Sequence, residues 1–174
     1  MRWHLDICVK LKIKPLLLVT VFSLFANTLF AAQTQPEVGY KVGQIAPEFK
    51  LKSLSGELFT LEKLRSKGPV MLVFWAVECV YCYAHVKDFN ELHAKYHDKG
   101  LTIAAINIGA EYNDDIAEYV KDNKINYLIL SNRLDNLDAG EAYHAVVTPT
   151  MVVVNPAGRV IYYGHSLPDV SKLF

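Results

Sequence analysis

Apolar positions fall into distinct rhythms along this chain, and each rhythm predicts a different kind of element. Residues 70–75 (Val-Met-Leu-Val-Phe-Trp) are apolar without a break. A short run with no alternation reads as a central strand covered on both faces. Residues 101–108 read as the next buried strand and residues 127–130 as a third. From Cys79 to about His97 the steps become three and four. Cys82, Val86, Phe89, Leu92 or His93, and Tyr96 share one face, which predicts one amphipathic helix, closed at Asp98-Lys99-Gly100 with Gly as its C-terminal cap. Ile116, Tyr119 and Val120 give a second helix, capped by Asn113 or Asp114. Leu134, Leu137 and Tyr143 suggest a short third one near residues 136–144. Residues 48–52 and 57–61 frame the turn Ser53-Leu54-Ser55-Gly56 as a hairpin, followed by a short helix or turn at residues 62–66. Residues 150–154 and 160–163 frame Asn155-Pro156-Ala157-Gly158 as a second hairpin. Alternating β and α elements ending in a hairpin predict an α/β sandwich. Residues 167–174 leave barely two turns for a C-terminal helix, which would rely on packing.

Ahead of all this, Lys10, Lys12 and Lys14 precede an uncharged stretch, residues 15–30, and Ala31-Ala32 follow. A basic start, an apolar middle and small residues at the end predict a secretory signal peptide over residues 1–32. Leu29 or Phe30 would stand three before the cut, so an uncleaved N-terminal anchor stays open as the alternative. Residues 33–39 read as a linker and residues 40–174 as one domain. Either way the domain is expected outside the cytoplasm, in a bacterial periplasm, and at a membrane only if the leader is kept.

Composition narrows the class. Of the 174 residues 52% are hydrophobic, too many for a disordered chain. The whole chain is neutral, and beyond residue 32 it carries 14 basic against 17 acidic side chains. No basic patch argues for nucleic acid. Of three cysteines, Cys8 lies in the leader, which leaves Cys79 and Cys82. One pair makes no structural framework for a domain of this size, so it reads as working rather than stapling.

That pair stands in Cys79-Val80-Tyr81-Cys82, after the buried strand and at the start of the amphipathic helix. Unpaired amides and the helix dipole favour an anion at Cys79, which makes it the nucleophile; Cys82, one turn on, is the resolving thiol. The inert alternative is two buried structural thiols. The run Phe74-Trp75-Ala76-Val77-Glu78-Cys79-Val80-Tyr81-Cys82 resembles the thioredoxin-fold signature. Val147-Thr148-Pro149-Thr150 is similar to that family's cis-proline loop. Residues 42–51 (Val-Gly-Gln-Ile-Ala-Pro-Glu-Phe-Lys-Leu) resemble the opening of the redoxin branch that includes TlpA-like extracytoplasmic thiol–disulfide oxidoreductases. The resemblance covers roughly residues 40–165. It implies a thioredoxin-like three-layer α/β sandwich with an N-terminal β-hairpin extension. It also implies disulfide exchange with exported proteins, including a reductant's part in cytochrome c maturation, with electrons from a membrane thiol–disulfide transporter and without a cofactor. Thr148 and Pro149 would bind the substrate backbone.

Three residues depart from the family, and two of them, Glu78 and Tyr81, are expected with Trp75 to modulate the site. Glu78 stands where an aromatic usually precedes the first cysteine, Val73 where thioredoxin carries a buried Asp, and Tyr81 where many reducing members carry Pro. Tyr81 is more reminiscent of disulfide isomerases. Trp75 would shield the thiols, or simply close the strand as a core aromatic. Two other classes remain as alternatives. Oxidation or isomerisation would use the same sulfurs. A copper or zinc carrier would draw on His85 beside the cysteines, or on His93 and His97 at i, i+4 spacing. A peroxidase would need a Thr where Ala76 stands.

Overall fold

The computed structural model describes residues 36–109, 111–131 and 133–174; the predicted leader and residues 33–35 lie outside them. The hairpin is present as β1 (Lys50–Lys52) and β2 (Leu58–Thr60), antiparallel with Leu51 opposite Phe59. Thr60 then caps α1 (Leu61–Arg65), its hydroxyl accepting the Lys63 N–H. Next come β3 (Val70–Trp75), the helices α2 (Val80–Ala84) and α3 (Val86–Tyr96), and β4 (Thr102–Asn107). After them run α4 (Asn113–Asp122), β5 (Leu128–Leu130), α5 (Arg133–Ala142), β6 (Thr150–Val154) and β7 (Val160–Gly164). A 3-10 turn at Val170–Leu173 takes the place of the short C-terminal helix read from the pattern.

Among the described residues the main sheet has the order β5-β4-β3-β6-β7, parallel across β3, β4 and β5 and antiparallel through β6 and β7. All six residues of β3 are buried, and their side chains divide by parity as a pleated strand requires. Val70, Leu72 and Phe74 enter one core with Leu61 and Leu64 of α1, Ala139 of α5 and Tyr143 just after it. Met71, Val73 and Trp75 enter another with Cys82, Phe89 and Tyr96 from α2 and α3 and with Ile116 of α4. Helices therefore cover both faces, giving the α/β sandwich that the alternation predicts and the three layers that the resemblance implies.

Four local expectations are corrected. The helix from Cys79 is two helices, broken at His85 (φ −96°, ψ −2°), whose N–H turns back to the carbonyls of Cys82 and Tyr83. The apolar face nevertheless continues across the break, with Val86, Phe89 and Tyr96 buried, so the periodicity alone could not reveal it. The N-cap of α4 is Tyr112, not Asn113 or Asp114. Asp115 accepts the Tyr112 N–H at 3.3 Å, and the Asn113 side-chain oxygen is taken by Ser131 at 2.6 Å. In α5, which begins at Arg133, Leu137 is exposed and the inward residues are Asn136 and Ala139, with Tyr143 buried just past its end. Asn136 donates to the carbonyls of Asn107 and Leu130 and so stitches the ends of β4 and β5. The fourth correction is the C-terminal turn already named.

Two clamps close the structure. The fully buried Tyr143 ring lies 5.3 Å from Phe74, and its hydroxyl donates to the Pro47 carbonyl at 2.6 Å. Burial, with some help from the Glu48 carboxylate, pushes that phenol far above its ordinary range, so it remains a donor. Ile45 bridges to both Val38 and Arg159, tying the residues ahead of the hairpin to the edge near β7.

Candidate active site

Strand β3 ends at Trp75, and residues 76–78 turn the chain so that Cys79 becomes the N-cap of α2 with extended backbone (φ −81°, ψ 101°). Its Sγ accepts the Cys82 N–H at 3.1 Å, one of the amides that a helix start leaves without an internal partner. The sulfurs of Cys79 and Cys82 are joined in a disulfide, with Cα atoms 5.2 Å apart. Cys82 is only 4% exposed and belongs to the core on that face, whereas Cys79 is partly open to solvent. Position and burial together separate an outer sulfur from an inner one.

The other predicted residues surround this cap. Trp75 is buried, packs on Tyr119 with ring centroids 5.3 Å apart and belongs to the same core as Cys82, so it is a core aromatic beside the sulfurs. Glu78 and Tyr81 are exposed, and Tyr81 reaches 75% exposure between the cysteines. Val80 and Tyr83 add to an apolar rim around Cys79. Thr148 and Pro149 are joined by a cis peptide bond directly before β6. Because Thr150 pairs with Phe74 in the antiparallel register, Pro149 stands at the end of the sheet from which the chain leaves for Cys79. Val146 and Val147, just ahead, are both exposed.

Among the described residues, His85, His93 and His97 are not brought together with the sulfurs as a metal site. His85 stands at the helix break, its Nδ1 3.0 Å from Asp88. His93 and His97 stack with ring centroids 4.6 Å apart. Among the described residues no group of three or more His, Cys, Asp or Glu side chains is placed to hold a metal ion.

Two residues absent from the sequence reading lie at this end of the sheet. Glu111, between β4 and α4, accepts the Val77 N–H at 2.7 Å and so pins the loop that delivers Cys79; its second carboxylate oxygen is buried without a hydrogen-bond partner. Trp75 Nε1 and the Tyr119 hydroxyl are likewise buried and unpartnered. Burial first, then the neighbouring Tyr83, raises the Tyr119 phenol above its ordinary value, which keeps it neutral. The second residue is His165, after β7, with its Nδ1 3.1 Å from the Pro149 carbonyl oxygen. The only sequence signal for either was a polar residue in the segment after a strand, at a sheet end where loops carry function.

Among known proteins, the family model described as the AhpC/TSA family matches residues 42–163. Thiol-disulfide oxidoreductase ResA of Oceanobacillus iheyensis is 31% identical over 126 residues, covering 70% of this chain and 63% of that protein, a little under two thirds of its length. Thioredoxin-like protein YneN of Bacillus subtilis is 29% identical over 147 residues, 83% of this chain and 84% of that one. The thioredoxin domain of a thiol-disulfide oxidoreductase from Bacteroides vulgatus superposes with a TM-score of 0.65 at 22% identity, over 71% of this chain and 87% of that chain. At that identity the likeness speaks to the fold. Among the described residues no helix is long and apolar enough to cross a membrane.

Proposed function

The chain belongs to the AhpC/TSA family, among its thiol–disulfide oxidoreductases of thioredoxin fold, and from that premise we propose that it exchanges disulfides with exported proteins in the periplasm. The observation that carries this reading is the cap of α2, with an outer sulfur taking a backbone N–H and an inner, buried sulfur one turn away.

In the reduced protein the Cys79 thiolate attacks one sulfur of a substrate disulfide. A mixed disulfide forms, and the other substrate sulfur leaves as a thiolate. The Cys82 sulfur, having given up its proton, then attacks Cys79 Sγ. The substrate's second thiolate departs, and the enzyme is left with its disulfide. A donor dithiol reverses these steps and restores the pair. Stabilisation of the Cys79 anion comes from the helix start, and a depressed thiol pKa follows from such placement. Thr148 and Pro149 receive the substrate backbone, a role supported by their place at the sheet end from which the chain leaves for Cys79, and the exposed Val80, Tyr81, Val146 and Val147 contact its side chains.

Reduction is the direction proposed, with apocytochrome c thiols among the substrates, a membrane thiol–disulfide transporter as donor, and residues 1–32 as the export signal. This rests on the resemblance to TlpA-like redoxins and on the ResA relatives. Tyr81 in place of Pro places the potential above that of thioredoxin. Equilibration with glutathione should give a midpoint less reducing than about −270 mV, and a more negative value contradicts the assignment. In the reduced protein an alkylating agent should label Cys79 much faster than Cys82; equal labelling of the two refutes their roles.

A further inference from the structure

Thr150 is fully buried, and its hydroxyl donates to the Val147 carbonyl at 2.6 Å. That uses the one proton the hydroxyl has and leaves its lone pairs as acceptors. His165 Nδ1 lies 3.1 Å from the Pro149 carbonyl oxygen and 3.4 Å from the Thr150 hydroxyl oxygen. A carbonyl oxygen only accepts, so Nδ1 must carry a proton, and one ring N–H is shared between two acceptors. In the neutral ring Nε2 is then the unprotonated nitrogen. Two residues earlier on β7, the Tyr163 hydroxyl donates to the His144 carbonyl at 2.8 Å. Side chains from one edge strand and the residue just after it therefore hold carbonyls at both ends of the segment 144–149. The exposed Val146 and Val147 lie between those anchors.

We propose that His165 is a positioning residue for macromolecular substrates. By holding the carbonyl of Pro149 it fixes the peptide plane that follows Thr148-Pro149, and so the place where an extended, disulfide-bearing segment of a protein lies beside Cys79. This rests on the reading of residues 148–149 as the substrate-receiving loop. His165 acts on the loop and not on the sulfurs, so it leaves their exchange with a small thiol unaffected.

The test compares turnover of insulin, whose disulfides sit in a folded protein, with exchange against glutathione. His165→Ala should raise KM for insulin about tenfold, the size of one net hydrogen bond. Its kcat for insulin, its glutathione exchange rate and its midpoint potential should be unchanged. His165→Asn places an amide N–H where Nδ1–H stands and should restore KM. His165→Gln places its N–H near the position of Nε2 and should not. An unchanged KM in His165→Ala, equal losses with insulin and glutathione, or rescue by Gln as full as by Asn would each overturn the proposal. If the native protein fails to exchange with glutathione at all, the redox reading itself falls. If it exchanges and KM for insulin is indifferent to His165, only this inference falls.

Discussion

Two glutamates stand close in sequence or space to Cys79, and they should behave differently. Glu78 is exposed beside Cys79, where its charge opposes the favourable end of the helix. Such an exposed effect is worth about 0.3–1 kcal/mol, less than one pKa unit. Glu78→Gln should therefore lower the Cys79 thiol midpoint by under one unit, with no loss of stability. Glu111 has a structural duty as well, because its carboxylate takes the Val77 N–H. Glu111→Ala leaves a part-buried donor unpaired, at a cost of about 1–3 kcal/mol, and frees the loop that sets Cys79 on its cap. Chemical denaturation and the alkylation rate of Cys79 should both register that change, and a variant as stable and as reactive as the native protein would deny Glu111 this role. The contrast also marks what a sequence discloses about such a site. Cys79 and Cys82 are legible because their relation is local, three residues along one helix start. Glu111 and His165 reach the site through loops at the ends of β4 and β7, and no rhythm in the chain announces a contact made that far away in sequence.

The elements themselves were legible wherever burial imposed a period. Strand β3 was read to the residue because both its faces are covered, and its neighbours β4 and β6 to within a residue or two. The break at His85 escaped because the inward face carries on across it. The cap of α4 escaped because Asn113, the better capping residue by type, is engaged with Ser131 instead. Gly100 belongs to the legible group. It was read as the cap ending the helical run, and it sits in the left-handed region at φ 102° after the 3-10 turn His97–Lys99 that follows α3. Its packing adds a demand the sequence did not show. A Cβ there would come within 2.7 Å of the Lys67 carbonyl oxygen, where the chain enters β3, and at Gly68 a Cβ would collide with the Gly100 backbone. The segments leading into the two central strands thus touch backbone to backbone. Gly100→Ala combines an unfavourable φ with that contact and should cost about 1–3 kcal/mol. Each kcal/mol should lower Tm by about 2–4 °C for a domain near this size. Because the change lies at the far end of β3 from Cys79, the glutathione midpoint should not move; a shifted potential with an unchanged Tm would contradict the assignment of Gly100 to stability alone.

At the scale of the whole molecule, the end of the sheet remote from the sulfurs makes stability depend on pH. A cavity of 200 Å³ opens where β4 and β5 begin, lined by Phe59, Lys63, Leu64, Lys67, His93 and His97 among others. His93 is held below its ordinary 6.5, chiefly by burial and next by the neighbouring His97, with Asp98 pulling the other way. Its Nδ1 is buried without a partner, so an imidazolium would form beside His97 in a poorly solvated place. The sign of the linkage follows. Between the folded midpoint and 6.5 the unfolded chain binds more protons than the native one, so stability rises with pH across that window. The contribution is complete above 6.5 and is lost as pH falls to the folded midpoint. Denaturant midpoints measured from about pH 7 down to about pH 5 should therefore decline. His97→Gln removes one opposing charge and should move the His93 midpoint, followed by NMR, toward 6.5 while making that decline shallower. Asp98→Asn should move it further down and make the decline steeper. A His93 midpoint at or above 6.5 in the native protein would reverse the argument, because acid would then stabilise this end of the sheet. Acid therefore lowers stability at the end of the sheet remote from the sulfurs.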